Sequence, residues 1–178
     1  MVDPQSASVH LSAIRHAAAQ DDFVVAYVHH HHWEPGWQDV PHWVQTFARS
    51  CIYAGADLFV SHGAPVLQPV EIYNGSPIFY GLGNFFFHVH SDETEWSPPE
   101  VWQSIIAARR YDISGRLEGI DLLPVVIGAE APSIGSETAR LVPVPATGSL
   151  RETQAAFKGV VASTMCVAVT VSPFISST

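Results

Sequence analysis

The sequence predicts an α/β fold. Trp43, Val44, Phe47, Ala48, Cys51 and Ile52 form an apolar stripe at helical spacing, with Gln45, Thr46, Arg49 and Ser50 opposite and Gly55 as the stop. That stripe lies between two short apolar runs, FVVAYV, which runs directly into His29, and ADLFV, which runs into a loop with His62 and Gly63. A strand, helix, strand unit of this length makes a parallel pair, and the loops at the carboxyl ends of such strands come together where ligands bind in open α/β sheets. His29 to His32 and His62 therefore sit at two loops expected to meet.

Before this unit, Val9, Ala13, Ile14, Ala17 and Ala18 recur at helical spacing within Ser6 to Gln20, predicting a helix that ends before Asp21-Asp22. After it, VEIYNGSPIFYGL predicts a hairpin of Val70 to Tyr73 and Pro77 to Tyr80, with Asn74-Gly75 supplying the positive φ angles of a tight turn. A second hairpin is expected from Ile105 to Ile113 and Leu117 to Ile127, turning at Ser114-Gly115. His88 to Pro99 and the Pro, Gly, Ser and Thr-rich Gly128 to Gly148 carry no period and predict irregular surface segments, and Leu150 to Phe157 a short helix.

With 178 residues and 47% apolar content the chain is long enough for one domain with a substantial core. A net charge of -9 with only 8 Lys plus Arg excludes a broad nucleic-acid surface, which needs clustered cations. Cys51 and Cys166 form no CxxC pair, so neither a thiolate zinc site nor a disulfide framework is expected. The start, MVDPQSASVH, has no signal-peptide pattern. The apolar stretch Val160 to Ile175 is interrupted by polar residues and falls short of the ~20 apolar residues of a membrane span. On these grounds the chain as given is expected to be cytoplasmic.

The four-histidine run follows a strand-like segment and leads into an aromatic loop with Trp33 and Trp37, so it belongs to the native chain. Neutral imidazoles ligate borderline metals when several converge. If strand geometry persists past Val28, His29 and His31 face one side while His30 and His32 face the other, so one pair at most lines a given pocket. His62 is the further ligand candidate. Glu34 is placed to orient a ligand or to act as a general acid or base, although a Glu beside Pro35-Gly36 also suits a solvated loop. Asn84 in GLGNFFF suits a side-chain bond that pins the loop after the hairpin.

VVAYVHHHHWE followed by FARSCIYAGADLFVSHGAPVLQPVEIYNGSPIFYGLGNFFF resembles the C-terminal half of the bacterial capsule synthesis CapA-like family, linked to poly-gamma-glutamate. That family is similar to calcineurin-like metallophosphatases, so the resemblance implies a layered α/β sandwich of mixed sheets flanked by helices. Residues 1–160 are then the C-terminal portion of one such domain, and 161–178 an atypical apolar tail. The implied activity is metal-dependent phosphoester hydrolysis with one or two divalent ions, manganese, iron and zinc being undistinguished.

Matched residue by residue, the resemblance implies metal ligands at His29 or His31 and at His62, with Glu34 and His62 in catalytic positions. The implied ligands and partners are an acidic polymer or a phosphorylated small substrate and other capsule-synthesis components. Family members are often envelope-associated. Two departures stand out: in SHGAP, Ser61 replaces Gly and Pro65 replaces a second histidine, and no GD-type or GN-type motif precedes His29. A non-catalytic accessory or binding role in polymer synthesis or export is the alternative expectation.

Overall fold

A computed structural model describes residues 2–20, 23–32, 36–86, 99–127, 143–147, 160–162 and 168–171, and in it the first expected helix runs as α1 (Pro4–Ala18). Asp3 caps it by accepting the Ser6 N–H at 2.7 Å, and Pro4 suits the first turn, where its missing N–H has no helical partner. The covered stripe matches the expected one in part. Ile14, Ala17 and Ala18 are half-buried as expected, joined by Ala7 and Leu11, with Leu11 and Ile14 packed against the core, while Val9 and Ala13 face solvent. Alanine and valine at helical spacing do not by themselves say which face is covered.

Strand β1 (Val25–His29), helix α2 (His42–Tyr53) and strand β2 (Leu58–His62) form the expected unit, and β1 pairs parallel with β2 from Val25↔Leu58 to His29↔His62. Helix α2 buries Val44, Ala48, Cys51 and Ile52, with Trp43 and Phe47 partly buried beside them. It ends in a Schellman motif: Gly55 (φ 110°) donates to Ile52 O, and Ala56 donates to Cys51 O. A side chain on Gly55 would also come within 2.7 Å of Ala18 Cβ. Asp57 then clasps β1, its carboxylate accepting from Val24 N at 2.8 Å while its own N–H donates to Val24 O at 2.9 Å.

Strands β3 (Leu67–Tyr73) and β4 (Ser76–Leu82) extend the first hairpin beyond its expected ends, and Asn74 (φ 50°) and Gly75 (φ 83°) make the turn. With β8 (Val160–Ala162) the first sheet has the order β1-β2-β4-β3-β8, β2 and β4 being parallel. Its core joins Ala26, Phe59, Ile78 and Tyr80 to the apolar face of α2. A buried polar group also crosses that junction. Glu71 accepts from Arg49 Nε at 3.0 Å and from the Tyr80 hydroxyl at 2.6 Å. Burial, and then the bond to Glu71, raises the Tyr80 pKa, and the bond to Glu71 holds Arg49 above its ordinary value. Burial pushes the Cys51 thiol up to about 12, which makes it a packing residue rather than a nucleophile.

The second sheet pairs β5 (Gln103–Tyr111) with β6 (Leu117–Val126) as an antiparallel hairpin, and β6 also pairs with β7 (Val144–Pro145) and β9 (Ala168–Val171). Its turn is organised by Asp112, whose Oδ1 accepts from Ser114 N, Ser114 Oγ and Arg116 N. Asn84 donates to Val101 O at 3.1 Å, the pinning role expected of it. By contact the chain divides into two units, Met1–Ala64 with Gln68–Gly81 and Gly159–Val167, and Pro65–Leu67 with Leu82–Lys158 and Ala168–Thr178. The expected Leu150 to Phe157 helix and most of the His88 to Pro99 loop lie outside the described residues. Among the described residues no helix is long and apolar enough to cross a membrane.

Removing the shared acceptor at Glu71 leaves the buried Tyr80 hydroxyl unpaired. Glu71→Ala is expected to lower unfolding free energy in urea by about 1–3 kcal/mol, most of it from Tyr80 because the Arg49 guanidinium is half exposed. Restoration of that loss by adding Tyr80→Phe would assign it to the hydroxyl.

Candidate functional site

The parallel register decides the geometry of the histidines. His29 and His62 are level at the carboxyl ends of β1 and β2, and their rings meet edge to face with centroids 4.9 Å apart. Alternation along β1 carries past the strand end, returning the His31 ring to the His29 side, where their Nε2 atoms lie 2.9 Å apart. One ring donates a proton to the other at that distance. His29, His31 and His62 thus occupy one neighbourhood.

The other two histidines face the opposite way and do different work. His30 is buried, its ring edge-on to Trp43 of α2 with centroids 5.2 Å apart. Its Nδ1 accepts the His32 N–H at 3.2 Å, and its main-chain N–H donates to His62 O at 3.0 Å. His30 therefore ties the histidine loop both to the end of β2 and to the helix. Its Nε2 is buried with no hydrogen-bond partner among the described residues. Strand alternation alone puts His30 on the opposite side, and what it touches there could be anticipated only through the helix stripe containing Trp43.

Gly63 is required at this point. Its φ is +123°, and a Cβ there would lie 2.0 Å from His30 O and 3.1 Å from the His29 ring. The glycine after His62 lets the histidine loop rest on the end of β2.

These imidazoles suit a borderline divalent ion as a partial donor set. With metal–nitrogen bonds of about 2.0–2.1 Å, two ligand nitrogens sit about 3.0 Å apart at right angles and about 3.4 Å apart in a tetrahedron, close to the His29–His31 spacing. Among the described residues, however, no group of three or more His, Cys, Asp or Glu side chains has a metal-holding arrangement. His62 stands beside the pair without converging on the same point. Glu34, the expected acid or base, lies outside the described residues.

Burial lowers the pKa of His62, and the charges of His29 and His31 lower it further. For His30, burial is again the first cause and His32 the second. Both folded rings bind a proton less readily than in the unfolded chain, so their contribution to stability is present above the ordinary histidine pKa near 6.5 and is lost as pH falls from there through their lowered folded values.

Residues 2–89 match the family described as bacterial capsule synthesis protein PGA_cap. Over 79 residues the chain is 44% identical to the uncharacterized protein y4sH of Sinorhizobium fredii, covering 43% of this chain and 17% of that protein. Over 85 residues it is 39% identical to the PGA biosynthesis protein CapA of Bacillus subtilis, covering 47% of this chain and 22% of that one. It is 40% identical over 57 residues to the capsule biosynthesis protein CapA of Bacillus anthracis, covering 32% of this chain and 14% of the relative. In each case the match spans less than a quarter of the relative's length.

Two outcomes follow from the loop geometry. Gly63→Ala is expected to destabilise the fold by at least about 1–3 kcal/mol through backbone strain, and to disorder His29 and His31 as judged by their ring resonances. In chelator-treated protein the thermal midpoint should drop between pH 8 and pH 5.5, and His30→Gln should flatten that dependence.

Proposed function

From the membership of residues 2–89 in the bacterial capsule synthesis protein family, we propose that this chain carries the histidine side of a divalent-metal site in a phosphoesterase-like hydrolase of capsule or poly-gamma-glutamate synthesis. The observation that supports the reading most directly is the His29↔His62 register, which sets two imidazoles side by side at the carboxyl ends of parallel strands with His31 against the first. On this reading the domain is a calcineurin-like metallophosphatase sandwich, of which the first sheet and its two helices form part.

His29 or His31, together with His62, would hold the ion. A bound divalent ion would supply Lewis-acid polarisation of the scissile group and activation of water. The chain's own contribution is to hold the imidazoles at the strand ends, and partial desolvation of the His62 ring lowers its pKa, which favours the form that can ligate a metal. The His30 main-chain bond to His62 O holds the two strand ends together. We assign Glu34 the acid–base role from its place just after the histidines. The two or three imidazoles among the described residues are fewer than a dinuclear centre needs, so on this reading further ligands complete it. The substrate class is a phosphorylated small molecule or an acidic polymer, with other capsule-synthesis components as partners.

Metal titration tests the proposal. Wild-type protein is expected to take up Mn(II) or Zn(II), and His62→Ala to weaken uptake by about 10-fold or more with its circular dichroism unchanged. Equal metal content in the two proteins would remove the claim. Metal uptake without turnover of any generic phosphoester would favour a non-catalytic binding role in polymer synthesis or export.

A further inference from the structure

Most arginines of the described residues have a carboxylate or open solvent. Arg49 pairs with Glu71 at 2.9 Å, Arg110 with Asp121, and Arg116 with Asp112 at 3.7 Å. Arg15 is exposed in the last turn of α1, where a cation suits the helix end. Arg109 differs from all of these. It is half-buried, no described carboxylate pairs with it, and its Nη1 is buried with no hydrogen-bond partner among the described residues. In a chain of net charge -9, a guanidinium left without a carboxylate does not reflect a shortage of acidic residues.

Strand register sets this nitrogen on the covered side of its sheet. Strands β5 and β6 pair with Ile105 level with Pro124, Ala107 with Leu122 and Arg109 with Ile120. Side chains at these positions share one side of the hairpin, and Ile105, Leu122 and Ile120 are buried there, Ile120 with no exposed surface. Arg110 belongs to the other side, where Asp121 receives it. One step along β5 thus separates a paired surface arginine from one set among apolar side chains. Tyr111 is the next residue on the Arg109 side, and its hydroxyl is buried as well. The pairing of β5 with β6 shifts register between Arg110 and Tyr111, an irregularity of the kind that re-aims side chains beside ligand sites.

Taking a guanidinium nitrogen out of water is costly unless an acceptor meets it. Arginine only donates and stays protonated, so the missing partner is an acceptor, and an anion serves best; the planar fork matches two oxygens of one carboxylate or phosphate. We propose that Arg109 binds an oxyanion, the carboxylate of an acidic chain or the phosphate of a phosphorylated compound, on the Ile105 side of β5. Because the residue is half-buried rather than enclosed, its side chain remains open to an arriving ligand. This site uses neither a metal nor a histidine, and it lies wholly within the second of the two units, so it stands independently of the histidine site proposed above.

Thermal midpoints of the full chain, measured against increasing inorganic phosphate and separately against glutarate, with ionic strength held constant by chloride, test the proposal. Wild type should be stabilised saturably by at least one of them: by phosphate if the natural ligand is a phosphate compound, by glutarate if it is a carboxylate. Arg109→Leu, its folding checked by circular dichroism, should raise the dissociation constant by about 10-fold or more. Arg110→Leu should bind as wild type does, since that guanidinium already has Asp121. A wild-type midpoint that neither anion moves would overturn the proposal, as would equal affinity in wild type and Arg109→Leu. Equal losses in Arg109→Leu and Arg110→Leu would also overturn it, because general charge attraction would then be the cause. If Arg109→Leu does not fold, Arg109→Gln takes its place, and wild-type affinity in that variant overturns the proposal in the same way.

Discussion

The parallel pairing of Val25–His29 with Leu58–His62 is the constraint on which the candidate site depends. Helix α2 returns the chain along its own apolar stripe, Gly55 and Ala56 end it sharply, and Asp57 binds the start of β1 through both its carboxylate and its main chain. Those contacts set the register at the amino ends of the strands, and the consequence appears at the carboxyl ends, where His29 stands level with His62. A slip of one residue would bring His30 level with His62 and exchange the faces of all four histidines in the run.

Polar groups buried in the first unit fall into two kinds. Arg49, Glu71 and Tyr80 satisfy one another between α2 and the hairpin, and serve packing between those elements. His30 Nε2, Ser61 Oγ and Gln68 Oε1, by contrast, are buried without hydrogen-bond partners among the described residues. These three lie just after β1, on β2 and on β3, at the end where the histidines gather.

Gly63 and Gly81 extend the same logic to the backbone. The first admits the His30 carbonyl so closely that any side chain would collide with it, and the second admits the amide of Gln68. Neither is a flexible hinge in this arrangement. At Gly63 the His30 carbonyl occupies the volume of a Cβ, and at Gly81 the Gln68 side chain leaves only a tight fit for one; both neighbours belong to the histidine end of the sheet.

Much of this was legible in the residues themselves. The stripe from Trp43 to Ile52, the two apolar runs ending in histidine and the Asn74-Gly75 turn are local signals with one geometric solution each, and strand alternation divided the four histidines into pairs. Helix α1 was legible as a helix but not as a face, because its alanines suit either side and only contact with the core selects Leu11 and Ile14. Val144-Pro145 carried no local strand signal, and it pairs only because β6 offers an edge. The sequence by itself therefore determined the helices, most strands and which histidines share a side, since those follow from periodicity. Only the tertiary structure decided that His29 and His62 are level, that His30 is buried against Trp43 and that Gln68 lies over Gly81, because these depend on register between segments distant in the chain.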